Sequence, residues 1–484
     1  MRKTFRRILF WLLVLLFLVT APVAILFSQG YRFDQNKMIF VHSGAITLKS
    51  LPASVNIFLD GKLQSGKNLD IINSSMTVGG LRPGNYHVEA SLDGYSRWAK
   101  NVEVHSGLST EFWNVVLAPQ KMAVSELESR NVNRFFPSPF GKKTAYLENI
   151  DENISLWMTN FKENNTRPIF TGNDAFFSKD KHENLEWNFK EDLILAPVVR
   201  NGQRDYLVAS SEGNIEPSYL SDLAKMKGML KARWSPKEKN VVYFIAQDSE
   251  KVSNLYSFSL DDSTLELLIP EISVYDLSRS SIFFLQKNNI PFKSDLDGGN
   301  LIQINDRPFT NSEIGENGRL IVYDEDRQVL ISENGELYVR NNGGEDLLKK
   351  IGDGILGAQF SDDGKKLLFW SENEISVIFL RKWEVQPYRA ENEIQTIMRL
   401  STPVDNVFWF RDYEHIFFSV KNKIKLVELD SRDHRTILDI FENNLAEFPA
   451  VYDSGNGYYY FVKDSNGEKK ISYFALPEKT GFFE

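Results

Sequence analysis

The residue types that most often carry enzyme chemistry are few in this chain, and they do not cluster along it. The chain has no cysteine and only six histidines, which are His42, His87, His105, His182, His415 and His434. Without cysteine there can be no disulfide, thiolate nucleophile or cysteine-based metal site. No histidine pair has His-Glu-x-x-His spacing, and no Gly-x-Ser-x-Gly elbow occurs. The sequence therefore predicts no catalytic, cofactor-binding or metal-ligating residue. His87 and His105 are predicted to lie on strands and to face solvent.

Two other segments imitate ligand-binding motifs. Residues 61–67 read GKLQSGK, the spacing of a phosphate-binding loop up to its lysine. Asn68 then stands where a serine or threonine should hold Mg²⁺, and no helical pattern follows, so a hairpin turn explains the glycines. Residues 453–457 read DSGNG but lack the closing glutamate of a Ca²⁺ loop. Neither nucleotide nor metal binding is predicted.

Composition indicates the class of protein that must position any site. The net charge of −9 implies no broad basic surface, so nucleic acid is not an expected partner. The 35 Phe, 18 Tyr and 9 Trp favour strands over helices. A chain of 484 residues is too long to fold around one compact core. We expect an all-β protein of two or more domains.

The N-terminus predicts a membrane anchor. Residues 8–27 form an uncharged apolar run of 20 residues, about the length that crosses a bilayer. Four basic residues precede this run, which places the N-terminus in the cytoplasm and the remaining chain outside. The alternative is a cleaved signal peptide, but the run is long and Ile25–Phe27 occupy the positions where small residues are wanted. Residues 1–29 are therefore predicted as a cytoplasmic stub and one spanning helix in the cell membrane.

Residues 43–118 show the period-two pattern of a small β-domain. A strand at 55–59 ends in the turn Asp60-Gly61, and residues 81–86 read LRPGNY, a turn that leads into an alternating strand. Together with Pro52, Gly94-Tyr95 and residues 102–107, this order resembles the PEGA domain, a small β-sandwich module of bacterial and archaeal surface and exported proteins. The resemblance implies a binding or spacer module without catalysis.

Residues 120–484 repeat a common pattern. Each unit places an aromatic or apolar residue before a polar turn and then a hydrophobic strand, most clearly at 136–146, 232–244 and 359–370. More degenerate copies start near Trp187, Leu277, Ile321, Trp409 and Tyr452. Starts about 40 to 50 residues apart have the period of a four-stranded propeller blade. The pattern resembles the Trp-Ser-Pro-Asp-Gly blades of Tol-type periplasmic propellers, an architecture that does not by itself specify a function.

Eight units fit this part of the chain, although seven blades and an irregular segment also fit. The last unit has room for three strands, and residues 122–127 are predicted to supply its fourth and close the ring. The repeat aromatics are predicted to pack between blades. Residues 219–231 are predicted as a short helical or loop insertion.

These features favour a membrane-anchored extracytoplasmic scaffold that presents a propeller to an envelope protein or a cell-envelope glycan. The alternative is a propeller-type glycan hydrolase or lyase, which would need charged residues around the channel mouth, whereas an apolar or neutral channel would exclude it. A third interpretation is a self-assembling envelope scaffold with a large apolar patch on one propeller face.

Overall fold

A computed structural model describes residues 3–35, 38–64, 67–70, 75–150, 153–163, 165–179, 183–248, 252–344 and 346–477. Helix α1 (Lys3–Ser28) continues through Pro22, and its apolar side chains are almost all exposed. Within residues 5–28 a stretch of 18 residues has a mean hydropathy of 2.8, so the helix is long and apolar enough to cross a membrane by length and composition. A signal sequence would pass the same test.

A hairpin and a two-sheet sandwich follow α1. Their strands are β1 (Tyr31–Asp34), β2 (Ile39–His42), β3 (Gly44–Leu51), β4 (Asn56–Leu59), β5 (Lys62–Leu63), β6 (Lys67–Asp70), β7 (Ser75–Leu81), β8 (Gly84–Ser91), β9 (Trp98–Val104) and β10 (Ser109–Val116). One sheet has the order β10-β3-β7-β6 and the other β5-β4-β8-β9, with only β10 and β3 parallel among the described pairs.

The sandwich core consists of the inward-facing residues of both sheets. Ile46 and Leu48 on β3 meet Val88 on β8 and Val102 on β9, and all four are buried. The alternation buried–exposed along β9 is what a strand with one core face requires. His87 lies exposed on β8, as predicted. His105 was predicted on a strand, but it lies one residue beyond β9, because the chain turns at 105–108 towards β10.

The remaining strands follow one another along the chain with one short helix. They are β11 (Ser125–Glu126), β12 (Val132–Pro137), β13 (Lys143–Ile150), β14 (Asn153–Asn160), β15 (Asn165–Gly172), β16 (Ala175–Phe177), β17 (Glu186–Trp187), β18 (Leu193–Arg200), β19 (Gln203–Ser210), β20 (Ser218–Tyr219), α2 (Leu220–Ala224), β21 (Leu230–Trp234), β22 (Val241–Gln247), β23 (Ser253–Ser259), β24 (Leu265–Ile269), β25 (Ile272–Leu277), β26 (Ser281–Gln286), β27 (Pro291–Asp295), β28 (Ile302–Gln303), β29 (Arg319–Val322), β30 (Arg327–Ile331), β31 (Leu337–Asn342), β32 (Asp346–Gly352), β33 (Ile355–Phe360), β34 (Lys366–Ser371), β35 (Glu374–Phe379), β36 (Ile394–Arg399), β37 (Asp405–Trp409), β38 (His415–Val420), β39 (Lys423–Glu428), β40 (Ile437–Glu442), β41 (Ala450–Asp453), β42 (Tyr458–Ser465) and β43 (Glu468–Ala475).

These strands form a β-propeller. Among the described residues they make eight antiparallel sheets in chain order, beginning with β12-β13-β14-β15 and ending with β11-β43-β42-β41. An apolar cluster lies between each sheet and the next. One further cluster joins the last sheet to the first, with Val462 and Ile471 against Val132 and Tyr146, so the sheets close into a ring.

The repeat positions read from the sequence fall where the blade pattern predicts. Each of the eight starts lies on the innermost strand of its sheet, from Phe136 on β12 to Tyr452 on β41. The indole N–H groups of Trp187 and Trp234 donate to main-chain carbonyls of the preceding sheet, at 3.2 Å each, and Trp409 does so at 3.0 Å. The aromatics therefore pack between blades. Helix α2 lies inside the predicted insertion at 219–231.

Candidate functional site

The propeller has two chemically different faces, which follow from its up-and-down sheets. Loops joining the first to the second strand of a sheet, and the third to the fourth, emerge at one face. Loops joining the second to the third strand, and the connections between sheets, emerge at the other. The first is called the docked face here, because the sandwich contacts two of its loops, at 380–393 and 429–436. The second is called the open face.

A buried ion pair joins the sandwich to the docked face. Lys100 on β9 and Glu428 at the end of β39 have side chains 0% and 4% exposed, and the Lys100 ammonium lies 2.6 Å from the Glu428 carboxylate. The same ammonium donates to the main-chain carbonyls of Asp430, Arg432 and His434. A buried ammonium is tolerable only when its donors are satisfied, so this strand and this loop hold each other in one arrangement.

Further contacts extend this joint along β9 and β10. The Trp98 indole donates to Glu428 at 3.1 Å, and the Arg432 guanidinium lies 4.0 Å from the centre of the Phe112 ring. The Gln386 side chain accepts from the Glu111 N–H and donates to the Ser109 carbonyl. Contacts from two propeller loops to two sandwich strands fix an orientation as well as a point of attachment.

A second ionic cluster lies close to the docked face. His415 and Asp412 are 2.8 Å apart, and nearby Lys366 pairs with Glu414. Burial disfavours the charged forms, yet pairing with Asp412 raises the pKa of His415 above its ordinary value. The Lys366 ammonium also lies 4.0 Å from the centre of the Trp383 ring. These contacts hold neighbouring sheets together, and they leave His415 buried with its partner.

The other histidines that the structure describes lie apart from one another. His434 is 58% exposed beside Asp433, and His105 is 59% exposed beside Glu103. His182 lies outside the described residues. Within the part of the chain that the structure describes, no group of three His, Asp or Glu side chains has the arrangement of a metal site.

The open face carries a charged cavity of about 200 Å³ between the second and fifth sheets. Its walls come from the inner strands of the third, fourth and fifth sheets, from β19 of the second sheet, and from the loop residues 183–184 and 316–318. The charged lining residues are Glu183, Arg204, Lys231, Arg233, Glu316 and Arg319, and the apolar ones include Tyr206, Val274 and Leu320. None of these residues is predicted from the sequence to belong to a functional site.

Three of the six charged lining residues, Glu183, Arg204 and Arg233, take part in ion pairs. The Arg233 guanidinium bonds Glu186 at 2.7 Å and Asp276 at 2.9 Å, which raises its pKa. Arg204 lies 3.5 Å from the Glu183 carboxylate and donates to the Asn317 side chain at 2.9 Å. These contacts stabilise the wall of the cavity. The guanidinium groups of Arg204 and Arg233 both belong to its lining.

Lys231 is different, because it has no carboxylate partner among the described residues. Its ammonium donates to the Gly318 carbonyl at 2.7 Å, and the side chain is mostly buried. Burial, reinforced by the positive charge of Arg204 and only partly opposed by Glu316, Glu183 and Glu333, lowers the pKa of Lys231 to about 8.

One sequence signal for this cavity exists, although it is weak. Lys231 and Arg233 stand two residues apart at the start of an inner strand, the spacing that places two side chains on one side of a regular strand, although a bulge interrupts the strand at this point. Arg204, Glu183 and Glu316 lie far from this pair along the chain. Only the ring of sheets brings them together, and the sequence does not indicate which blade loops meet.

Comparison with known proteins shows a similarity in fold but does not identify a family. No family model and no curated protein matches this sequence. The resemblance of residues 43–118 to the PEGA domain therefore stays a prediction.

Several solved propellers are similar in structure. The crystal structure of Sqt1 from Saccharomyces cerevisiae is 14% identical, covers 75% of this chain and 100% of its own, and has a TM-score of 0.46. The Dos1 propeller is 12% identical, with 75% and 96% covered and a TM-score of 0.46. An oligogalacturonate lyase in complex with manganese is 10% identical, with 71% and 98% covered and a TM-score of 0.39. At these identities the likeness concerns the propeller fold alone.

Proposed function

We propose that this protein is a membrane-anchored extracytoplasmic binding scaffold. Residues 8–27 anchor it in the cell membrane, residues 43–118 form a PEGA-like sandwich, and residues 120–484 form an eight-bladed propeller. The observation that carries the proposal is the joint between sandwich and propeller. It covers part of the docked face and leaves the open face, with its cavity, available to a partner.

The anchor is supported by the surface of α1. Leu12, Leu16 and Phe17 are each more than half exposed, and the apolar stretch of the helix is not buried by any of the residues that the structure describes. Exposed apolar area costs roughly 25 cal/mol per Å² in water, a cost that lipid removes. Basic residues on the N-terminal side of α1 favour a cytoplasmic N-terminus and an external propeller.

The sandwich acts in this proposal as a rigid mount. A flexible linker would let the propeller tumble, whereas the buried Lys100–Glu428 pair and the contacts of Gln386 hold one orientation. A partner at the open face would then meet the same surface on every molecule. This suits recognition of an envelope protein or of a cell-envelope glycan.

Position-specific cross-linking in intact cells tests the proposal. Gln203→Cys places a unique thiol at an exposed site on the open face, and Lys237→Cys places one at an exposed site on the docked face. We expect both thiols to react with a membrane-impermeant maleimide. We expect a maleimide–benzophenone probe to trap a protein or glycan from position 203 and not from position 237.

Two results would contradict the proposal. Protection of both thiols until the membrane is opened would place the propeller in the cytoplasm. Equal capture from the two positions, or capture from neither, would remove the open face as the binding surface.

A glycan-active enzyme is the second candidate, and the charged cavity favours it, since an apolar channel would have excluded it. Lys231, with its lowered pKa, is the residue that could serve as a base there. Glu183 is less suited, because it accepts from the Ser178 hydroxyl and lies 3.5 Å from Arg204, so it already has partners. Incubating the full-length protein with uronic-acid oligosaccharides distinguishes the two functions, because only the enzyme would shorten them.

A further inference from the structure

The hairpin of β1 and β2 joins the apolar helix to the sandwich without a free linker. Helix α1 ends at Ser28, and β1 begins at Tyr31. The Gly30 carbonyl accepts the N–H of Ser43 at 2.9 Å and the hydroxyl of the same residue at 2.6 Å. These two hydrogen bonds close the base of the hairpin next to the end of the helix.

The hairpin also packs against the last residue of the apolar run. The centres of the Phe27 and Phe40 rings lie 6.4 Å apart, and the Phe40 ring lies 5.3 Å from the ring of its cross-strand neighbour Phe33. The Arg32 guanidinium lies 5.1 Å from the centre of the Phe27 ring and donates to the Phe27 carbonyl at 3.3 Å. A cation at the carbonyl end of a helix is favourable, so Arg32 holds β1 to α1.

The length of the helix sets the depth of these contacts when α1 spans a bilayer. The uncharged run of residues 8–27 rises about 30 Å, which equals the thickness of a hydrocarbon core. Phe27 then lies at the outer boundary of the hydrocarbon. A segment that packs on Phe27 therefore lies at the level of the lipid headgroups.

The hairpin presents apolar and aromatic side chains at that level. Met38 in the turn is 72% exposed, and Ile39 at the start of β2 is 52% exposed. Turns normally consist of Gly, Pro, Asn, Asp and Ser, so two adjacent apolar residues at an exposed turn are poorly suited to water. Tyr31, Phe33 and Phe40 are partly exposed, and tyrosine is typical of membrane–water interfaces. A bilayer surface covers such a set of side chains better than water does.

We propose that the hairpin of β1 and β2 is a second membrane-binding element, which lies in the headgroup region beside α1 with Met38 and Ile39 in contact with lipid. The inference rests on the proposed function, because it requires α1 to be an anchor, and it adds a lipid partner for a segment outside the helix. Ser43 alone separates β2 from the first strand of the sandwich. Two attachments to one bilayer would therefore limit the tilt of the sandwich and of the propeller mounted on it.

Site-directed spin labelling of the full-length protein in lipid nanodiscs tests the inference, since the natural chain has no cysteine. Collisions of the label with oxygen, which concentrates in lipid, are compared with collisions with a nickel chelate, which stays in water. We expect the oxygen-to-nickel collision ratio at Met38→Cys to be several-fold higher than at Leu267→Cys. Leu267 is the matched control, an aliphatic residue of the propeller strand β24 that is 56% exposed. A label at Phe17→Cys, within α1, gives the ratio for the hydrocarbon.

A second measurement uses the unaltered protein. The nanodiscs contain a lipid with a photoactivated diazirine near the carbonyl end of its acyl chain, and adducts are located by mass spectrometry after digestion with trypsin. We expect adducts on the peptide of residues 38–49, which begins after Lys37, in addition to those on α1. Peptides of the propeller should carry none.

The outcomes separate this inference from the anchor. Equal ratios at Met38→Cys and Leu267→Cys, with the hydrocarbon ratio at Phe17→Cys, would overturn the inference and leave the proposed function standing. A water-like ratio at Phe17→Cys as well would overturn both, because α1 would not span the bilayer. A high ratio at Leu267→Cys would overturn the inference too, since lipid contact would not distinguish the hairpin, and so would adducts confined to α1.

Discussion

At the scale of single residues, the joint between sandwich and propeller depends on one lysine. The Lys100 ammonium contacts Glu428 and three main-chain carbonyls of the loop at 429–436. No surface lysine could make this set of contacts, since the geometry requires an ammonium at the end of a buried stem. The residue that orients the propeller is thus a side chain of the sandwich.

Lys100→Met is expected to destabilise the protein strongly, because it leaves the Glu428 carboxylate buried without its cation. Breaking a buried pair costs about 3 to 5 kcal/mol. Adding Glu428→Gln should recover part of that loss, since no uncompensated charge would remain. Urea denaturation followed by intrinsic fluorescence measures both effects on the full-length protein.

The exposed Lys62→Met is the matched control for that experiment and should leave the denaturation midpoint unchanged. Equal midpoints for wild type and Lys100→Met would mean that the joint contributes nothing to stability.

Residue patterns predicted packing better than they predicted a site. The repeat aromatics were assigned to blade packing, and Trp187, Trp234 and Trp409 are buried between sheets. Lys100 and Lys231 gave no comparable signal, because an isolated lysine on a strand normally faces solvent. Their roles depend on partners far away along the chain, such as Glu428 for Lys100.

At the scale of secondary structure elements, the short strand β11 completes the propeller. It pairs with β43. The last sheet of the propeller, which holds its C-terminal strands, therefore also contains the first strand of the propeller. The pairing was predicted because residues 122–127 have a strand-like pattern and the last unit lacked a fourth strand. It removes an open sheet edge and joins the two ends of the ring.

A reversible disulfide tests this closure. Leu127 donates to the Ile471 carbonyl, so the neighbouring pair Glu126–Ser472 is a non-hydrogen-bonded pair with close Cα atoms, as a disulfide requires. Glu126→Cys with Ser472→Cys should form a disulfide on oxidation. It would close a loop of about 350 residues and add about 6 kcal/mol to the free energy of unfolding in the chain-entropy model.

The same variant under reduction is its own control, since the natural chain has no cysteine. Failure to form the disulfide under native conditions would separate β11 from β43. An oxidised protein no more stable than the reduced one would show that the ring ends do not limit unfolding.

At the scale of the whole molecule, the two faces of the propeller have different roles in the proposed scaffold. The sandwich and its contacts occupy part of the docked face, and the cavity with Lys231 lies on the open face. Repeats with a period of four strands predicted the ring, because each blade is a local unit with its own pattern. The docking of the sandwich was beyond prediction, since it depends on loops at 380–393 and 429–436 that have no repeat signal.

The most direct test of the central claim is a distance measurement between sandwich and propeller. Spin labels at Glu103→Cys on β9 and Lys237→Cys on the propeller report their relative motion by electron–electron double resonance in the full-length protein. Labels at Gln203→Cys and Lys237→Cys, both on the propeller, give the width expected of a rigid body. We expect one sandwich–propeller distance as narrowly distributed as this reference. A broad or multiple distribution would contradict it, because the sandwich would then be a flexible spacer and the open face would have no fixed orientation.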